Sequence, residues 1–278
     1  MNIVALGNAA IKIAKHFAKY PQYTCYHIDI DIEDNKHSKC LTKYSSAEEY
    51  EEKTPSFNEF FKDIEGDEVL FICVGSSAIS SVSLKVLEAV KDKKITVLYV
   101  RPDLTLLSDK AIIQEKLTFN VFQHYARSGM FERIYLVDNV RLEQILGDIP
   151  IIQYYDRLNE TISSTFHMIN VYKHVKPILD TKIELPEVSR IATFGILEKN
   201  GEEKFFFPIQ FITNQVYYYA FSKDSLEKDG KIFQNIKKQI KVKTEHNTKV
   251  SFGIFATEYK ENYAYCEAYT HFVQEEIK

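Results

Sequence analysis

Five short apolar runs, rich in β-branched residues, punctuate the first half of this chain at residues 3–6, 26–30, 69–74, 96–100 and 134–137. Each is short enough, and apolar enough on both sides, to be a buried strand. Amphipathic runs lie between them. Ala10, Ile13, Ala14 and Phe17 recur at helical spacing, Val82, Val86, Leu87 and Val90 form a similar stripe, and residues 108–125 make a longer one. Strand–helix alternation of this kind permits few folds. Parallel neighbours need a crossover, the crossover is a helix, and the helices cover both faces of the sheet. Ligands of such sheets bind at the carboxyl ends of the strands, where the loops turn into helices.

The pattern changes after residue 152. A long helix is expected over about 153–174, with Leu158, Ile162, Phe166 and Ile169 as its apolar stripe and Pro177 as its stop. Strands are then expected at 191–197, 205–211, 215–221, 249–257 and 263–272, with one helix near 225–240. The predicted organisation is therefore an α/β, Rossmann-like parallel-sheet domain over 1–152, a central helix over 153–176 and a smaller α+β domain over 177–278.

Composition narrows the function. With 45% hydrophobic and 27% charged residues among 278, the chain has the makings of a soluble globular protein with a real core. A formal charge of −4 argues against general nucleic-acid binding through a basic surface. Seven lysines between 228 and 249 face only Asp229 and Glu245, and read as a solvated helix face. Residues 48–52, Glu-Glu-Tyr-Glu-Glu, read as an exposed helix. The four cysteines include no C-x-x-C pair and the eight histidines show no ligand spacing, so neither a zinc site nor a disulfide framework is suggested. Cys25 and Cys73 sit in strands and read as small buried apolar residues. No stretch approaches the ~20 apolar residues of a membrane span. The opening residues read directly as a strand, with no secretory-signal pattern, and the expected location is the cytoplasm.

The chemistry concentrates in residues 134–169. A strand ends in the polar pair Asp138-Asn139, a short helix follows, and the long helix then carries Tyr155 and Asn159 one turn apart on one face. A flat ring with two side-chain amides can hold a flat, polar-edged ligand such as a nucleobase. On its own, a helical tyrosine is as readily a core or boundary residue. The run Val-Asp-Asn-Val-Arg-Leu followed by Tyr-x-x-x-Asn resembles the guanine-side half of the tubulin/FtsZ superfamily. So does the order of a nucleotide domain, a long core helix and a smaller second domain. Residues 250–255, Val-Ser-Phe-Gly-Ile-Phe, and the strand after them look like the paired last strands of FtsZ.

The resemblance implies two glycine-rich phosphate loops. Here they are Gly7, Asn8, Ala9 after the first strand, and Gly75, Ser76, Ser77, with Ile79 and Ser80, after a central one. Each retains a single glycine, and a β-branched Ile79 resists the positive φ that a phosphate cradle uses. Asp29 and Asp31 resemble the loop near nucleotide and metal. Arg101-Pro102 is present, but Leu106 stands where the family's acid partner of the arginine is expected. The loop Lys-Ile-Glu-Leu-Pro-Glu at 182–187 resembles the catalytic loop, with Glu184 and Glu187 three apart where the family has aspartates that place water on the next subunit's nucleotide. Read without the resemblance, Gly7 and Gly75 are ordinary strand-to-helix turns, and Glu184 and Glu187 are solvated loop charges. The resemblance thus implies a divergent member of the superfamily, such as a viral or mobile-element form. It would bind GTP or GDP with any Mg²⁺ the nucleotide carries, associate head to tail into filaments and hydrolyse GTP in trans. The alternatives are a non-hydrolysing, nucleotide-free structural relative, and a Rossmann-type cofactor enzyme. The second lacks its G-x-G-x-x-G after Leu6.

Overall fold

Each apolar run of the first half is a strand in the computed structural model, which describes residues 1–181, 186–244 and 248–274. The chain divides into two units, Met1–Ser164 and Thr165–Lys278, and the division falls within the long helix.

In the first unit the elements run β1 (Asn2–Leu6), α1 (Asn8–Phe17), β2 (Thr24–Asp29), β3 (Ser38–Cys40), α2 (Ala47–Lys53), α3 (Asn58–Phe61), β4 (Glu68–Val74), α4 (Ser83–Ala89), β5 (Lys94–Arg101), α5 (Asp109–Arg127), β6 (Arg133–Asp138) and α6 (Asn139–Leu146). The helix α7 (Tyr154–His174) begins here, after a 3₁₀ turn at Ile151–Gln153. The strands are parallel, in the order β3-β2-β1-β4-β5-β6. The chain works outward from β1 to β3, then returns to the other side of β1 and works outward again. That reversal opens a crevice beyond the carboxyl ends of β1 and β4, the usual ligand position in a doubly wound sheet. Ile3, Val4, Ala5, Leu70, Phe71 and Ile72 are entirely excluded from solvent, which is why β1 and β4 read as continuous apolar runs rather than alternating ones. The helix α1 buries Ala10, Ile11, Ile13, Ala14 and Phe17, the stripe its periodicity predicted and one residue more.

The second unit holds β7 (Leu179–Asp180), β8 (Ile191–Leu197), β9 (Glu203–Phe205), β10 (Asn214–Ser222), α8 (Lys223–Lys228), α9 (Ile232–Thr244), β11 (Lys249–Thr257) and β12 (Tyr263–Thr270). Its strands lie in the order β8-β12-β10-β11-β7, with β9 paired to β8. Only β10 and β11 are parallel, and α8 and α9 make their crossover. The core packs Tyr217, Tyr219, Phe252, Ile254 and Cys266 beneath Ile236 of α9.

Three expectations are corrected here. The strand placed at 205–211 is the short β9, because Pro208 cannot donate to a ladder and Phe211 takes a positive φ of 51°. The single helix near 225–240 is two, separated by Asp229, Gly230 and Lys231. Cys25 is only half-buried, whereas Cys73 is fully enclosed and its thiol is pushed up to about 12 by burial. The elements β3 and α3 were not anticipated. Among the described residues no helix is long and apolar enough to cross a membrane.

Candidate functional site

The first loop is Gly7, which joins β1 to α1 with φ 85° and ψ 159°. A side chain there would be strained whatever the space around it, so this glycine is demanded by the backbone. Its N–H donates to the Ile28 carbonyl at 2.8 Å, fixing the loop to β2. No side chain caps α1. Its first N–H groups, on the exposed Asn8 and Ala9, therefore have no intrahelical acceptor and carry the positive end of the helix dipole.

The second loop is built differently from a phosphate cradle. Gly75 is required by packing, since a Cβ there would overlap the Tyr99 hydroxyl. The loop then winds into a 3₁₀ turn over Ala78–Val82, so Ile79 never meets the positive φ that its sequence position threatened. Ser80 is buried with its hydroxyl facing inward. It donates to the carbonyls of Gly75 (3.0 Å) and Ser77 (2.6 Å), lies 3.2 Å from Thr118 Oγ1 and accepts from Gln114 Nε2. Ser76 is half-buried and Ser77 exposed. The two loops close on each other, for a Cβ on Gly7 would lie 3.3 Å from Ile79 Cγ2.

Between these loops lies a cavity of about 620 Å³ at the carboxyl ends of β1, β2 and β4. Gly7, Asn8, Ala9, Asp29, Asp31 and Ser77, all singled out from the sequence, line it together, as do Ile11, Lys15, Tyr44, Tyr50 and Ile79. Asp29 is 8% exposed, accepts from the Ile30 N–H at 2.8 Å, and has its carboxyl raised above the ordinary value, first by burial. Gly75, Ser76, Ser80 and Arg101 do not line this cavity. Arg101 is held beneath the second loop. Its Nε donates to Glu115 Oε1 at 3.0 Å while the guanidinium lies 4.4 Å over the Phe119 ring. Tyr99 donates to the same carboxylate oxygen at 2.9 Å. The acid that pairs with Arg101 is therefore Glu115 of α5, fully buried, while Leu106 is exposed. The signal in the sequence was a lone acid on the apolar stripe of α5, three residues before Thr118 and four before Phe119.

On the other side of the sheet order, Asp138 caps α6, accepting from the Arg141 N–H at 3.0 Å, and burial is the first cause raising its carboxyl. Asn139 follows as the first residue of α6, half-buried. Tyr155 is 59% exposed, with its ring edge-on to Tyr154 at 5.1 Å. Asn159 is half-buried one turn further along α7. His16, at the end of α1, pairs with Asp156 at 3.2 Å and so fastens α1 to the turn of α7 that carries Tyr155. Glu184 lies outside the described residues; Glu187 is exposed. Among the described residues no group of three or more His, Cys, Asp or Glu is placed to hold a metal ion, so a cation here would need nucleotide oxygens beside Asp29 and Asp31.

The strand order, the helix-opening loops and the second-unit topology together define the tubulin/FtsZ fold. Solved structures that share it include the empty FtsZ dimer of M. jannaschii (TM-score 0.71, 11% identity, 97% of this chain and 87% of that one). Others are the GTPγS-form protofilament of Bacillus thuringiensis serovar israelensis TubZ (TM-score 0.69, 12%, 97% and 86%) and a TubZ-Bt four-stranded filament (TM-score 0.73, 14%, 96% and 85%). No family model matches the sequence, and no curated protein matches it.

Proposed function

We propose that this chain binds a guanine nucleotide at the carboxyl ends of β1, β2 and β4 and assembles head to tail into filaments. The observation that carries the reading is the cavity between the Gly7 and Ser77–Ile79 loops, sited at the strand-order reversal of a sheet whose fold is that of FtsZ and TubZ. The uncapped amides of α1 would meet phosphate oxygens, Asp29 and Asp31 would take the Mg²⁺ that accompanies them, and Tyr155, Asn139 and Asn159 would enclose the base. Solved TubZ relatives are GTPγS-form and GDP-form protofilaments, and filaments of two and four strands, which supports both nucleotide and self-association.

A second reading is favoured by the inward-turned Ser80 and by the Gly75 carbonyl, which accepts hydrogen bonds from the Ser80 and Thr118 hydroxyls. A loop satisfied internally offers fewer contacts to a γ-phosphate, which suits a polymer that binds nucleotide without turning it over. The experiment is direct. Nucleotide co-purifying with the protein is extracted and identified, and labelled GTP and ATP are titrated against the stripped protein. Preferential GTP binding supports the site; equal affinity for both, or none for either, removes it. Phosphate release measured across a dilution series then separates the readings. Hydrolysis in trans, with Glu184 or Glu187 placing water, gives turnover only above a critical concentration, and the second reading gives none.

A further inference from the structure

The face of α1 that looks into the cavity carries Asn8, Ile11 and Lys15, at i, i+3 and i+7. Lys15 is the single cationic side chain among the described residues lining the cavity, whose lining also includes the acids Asp29 and Asp31. Three cations near the same sheet have acid partners, Lys39 with Asp34, Lys53 with Glu49 and Arg101 with Glu115. Lys15 makes no ion pair or side-chain hydrogen bond among the described residues, and its charge is felt by His27 on β2, whose imidazole is lowered first by burial and next by Lys15.

This arrangement answers a deficit in the site. Each loop keeps one glycine, Gly75 serves packing, and Ser80 is spent on its own loop. Backbone amides alone then offer little to a polyphosphate that must enter beside two acids. A lysine at the seventh position past Asn8 has a flexible four-carbon stem, and helical side chains lean toward the N-terminus, here toward the uncapped amides. We propose that Lys15 is the phosphate-contacting cation of this cavity and sets its preference for the more highly phosphorylated guanine nucleotide. The inference rests on the nucleotide reading above and adds the residue that supplies its charge.

The test titrates GTP, GDP and guanosine against the full chain and the variants Lys15→Gln and Lys15→Arg. Lys15 is exposed, so all three proteins are expected to unfold at the same temperature. Lys15→Gln is expected to lose about tenfold to a hundredfold in GTP affinity, the range of one charge-assisted hydrogen bond. It should lose less for GDP and nothing for guanosine, Lys15→Arg should recover most of the loss, and affinity should fall less steeply with salt in the glutamine variant. Wild type that binds GTP while Lys15→Gln binds it equally well, or loses all three ligands in equal proportion, overturns the assignment of Lys15 and leaves the site standing. Wild type that binds no guanine nucleotide removes the site and this assignment together.

Discussion

Single residues decide how the two loops differ. Gly7 is a glycine because of its φ, whereas Gly75 is a glycine because Tyr99, tied to Glu115, occupies the space a side chain would need. Gly75→Ala is therefore expected to cost about 1–3 kcal/mol through overpacking. Tyr99→Phe should recover part of that loss, because it removes the hydroxyl that a new Cβ would strike; urea unfolding of the two single variants and the double variant measures both. If Gly75→Ala is neutral, the close approach of Tyr99 is not rigid. Asp29 makes a different prediction. Its folded carboxyl titrates above the ordinary value of 3.8, so its ionised form opposes folding at neutral pH, and the opposition fades as pH falls toward 3.8. Asp29→Asn keeps an oxygen for the Ile30 N–H and should raise the melting temperature near neutrality while weakening Mg²⁺-nucleotide binding. A lowered melting temperature would show that the charge is compensated. The turn at Gly7 and the helix start at Asn8 and Ala9 were legible in the sequence because strand, glycine and helix signals fall in a row. The Tyr99–Arg101–Glu115 cluster was not legible as a unit, since its members are scattered over two elements that only the fold brings together.

At the scale of elements, periodicity carried most of the first unit. A strand buried on both faces leaves an unbroken apolar run, and β1, β4, β5 and β6 each show one. The misreadings fall where backbone chemistry outweighs hydrophobicity. Residues 206–213 are aromatic-rich, and Phe206 and Phe207 are buried, yet Pro208 and the positive φ of Phe211 end the ladder. Asp229-Gly230 splits one apparent helix into α8 and α9. In the second unit the last turns of α7 are fastened to the sheet by a fully buried carboxylate. Glu267 of β12 accepts from Lys173 at 2.7 Å and from the hydroxyls of Tyr218 and Tyr269, also at 2.7 Å. Lys173→Met removes this cation from the buried carboxylate and is expected to cost about 3–5 kcal/mol. Adding Glu267→Gln should then cost less than the two single losses summed, since both changes dissect one network. Strict additivity in denaturant unfolding would mean that the lysine and the glutamate act independently.

At the scale of the whole chain, the sequence implied a parallel sheet but not its strand order. Placing β1 at the centre, with the crevice beside it, depends on which crossovers run left and which run right, and no local pattern encodes that. Nor does net charge describe how the chain meets acid, because the buried groups titrate on their own schedule. His27 in the first unit and His167 in the second are each lowered from 6.5, with burial the first cause. A histidine buried neutral binds fewer protons folded than unfolded, so its contribution is intact above 6.5 and is lost as pH falls below that value toward the lower folded one. Asp29 and Asp138, both raised, act in the opposite sense. Their penalty eases as pH falls through their folded values toward 3.8, and each retains backbone N–H donors that limit the rise. The histidine loss sets in as pH falls through their unfolded value of 6.5, so the urea midpoint is expected to fall as pH drops below that value. Replacing both histidines by glutamine, which keeps a polar side chain that cannot take up the proton, should flatten that decline without abolishing the fold. A decline of unchanged slope in the double variant would assign the acid sensitivity to other groups, and Glu49, lowered to about 2 by Lys53 and Ser45, could contribute only below its ordinary value of 4.5.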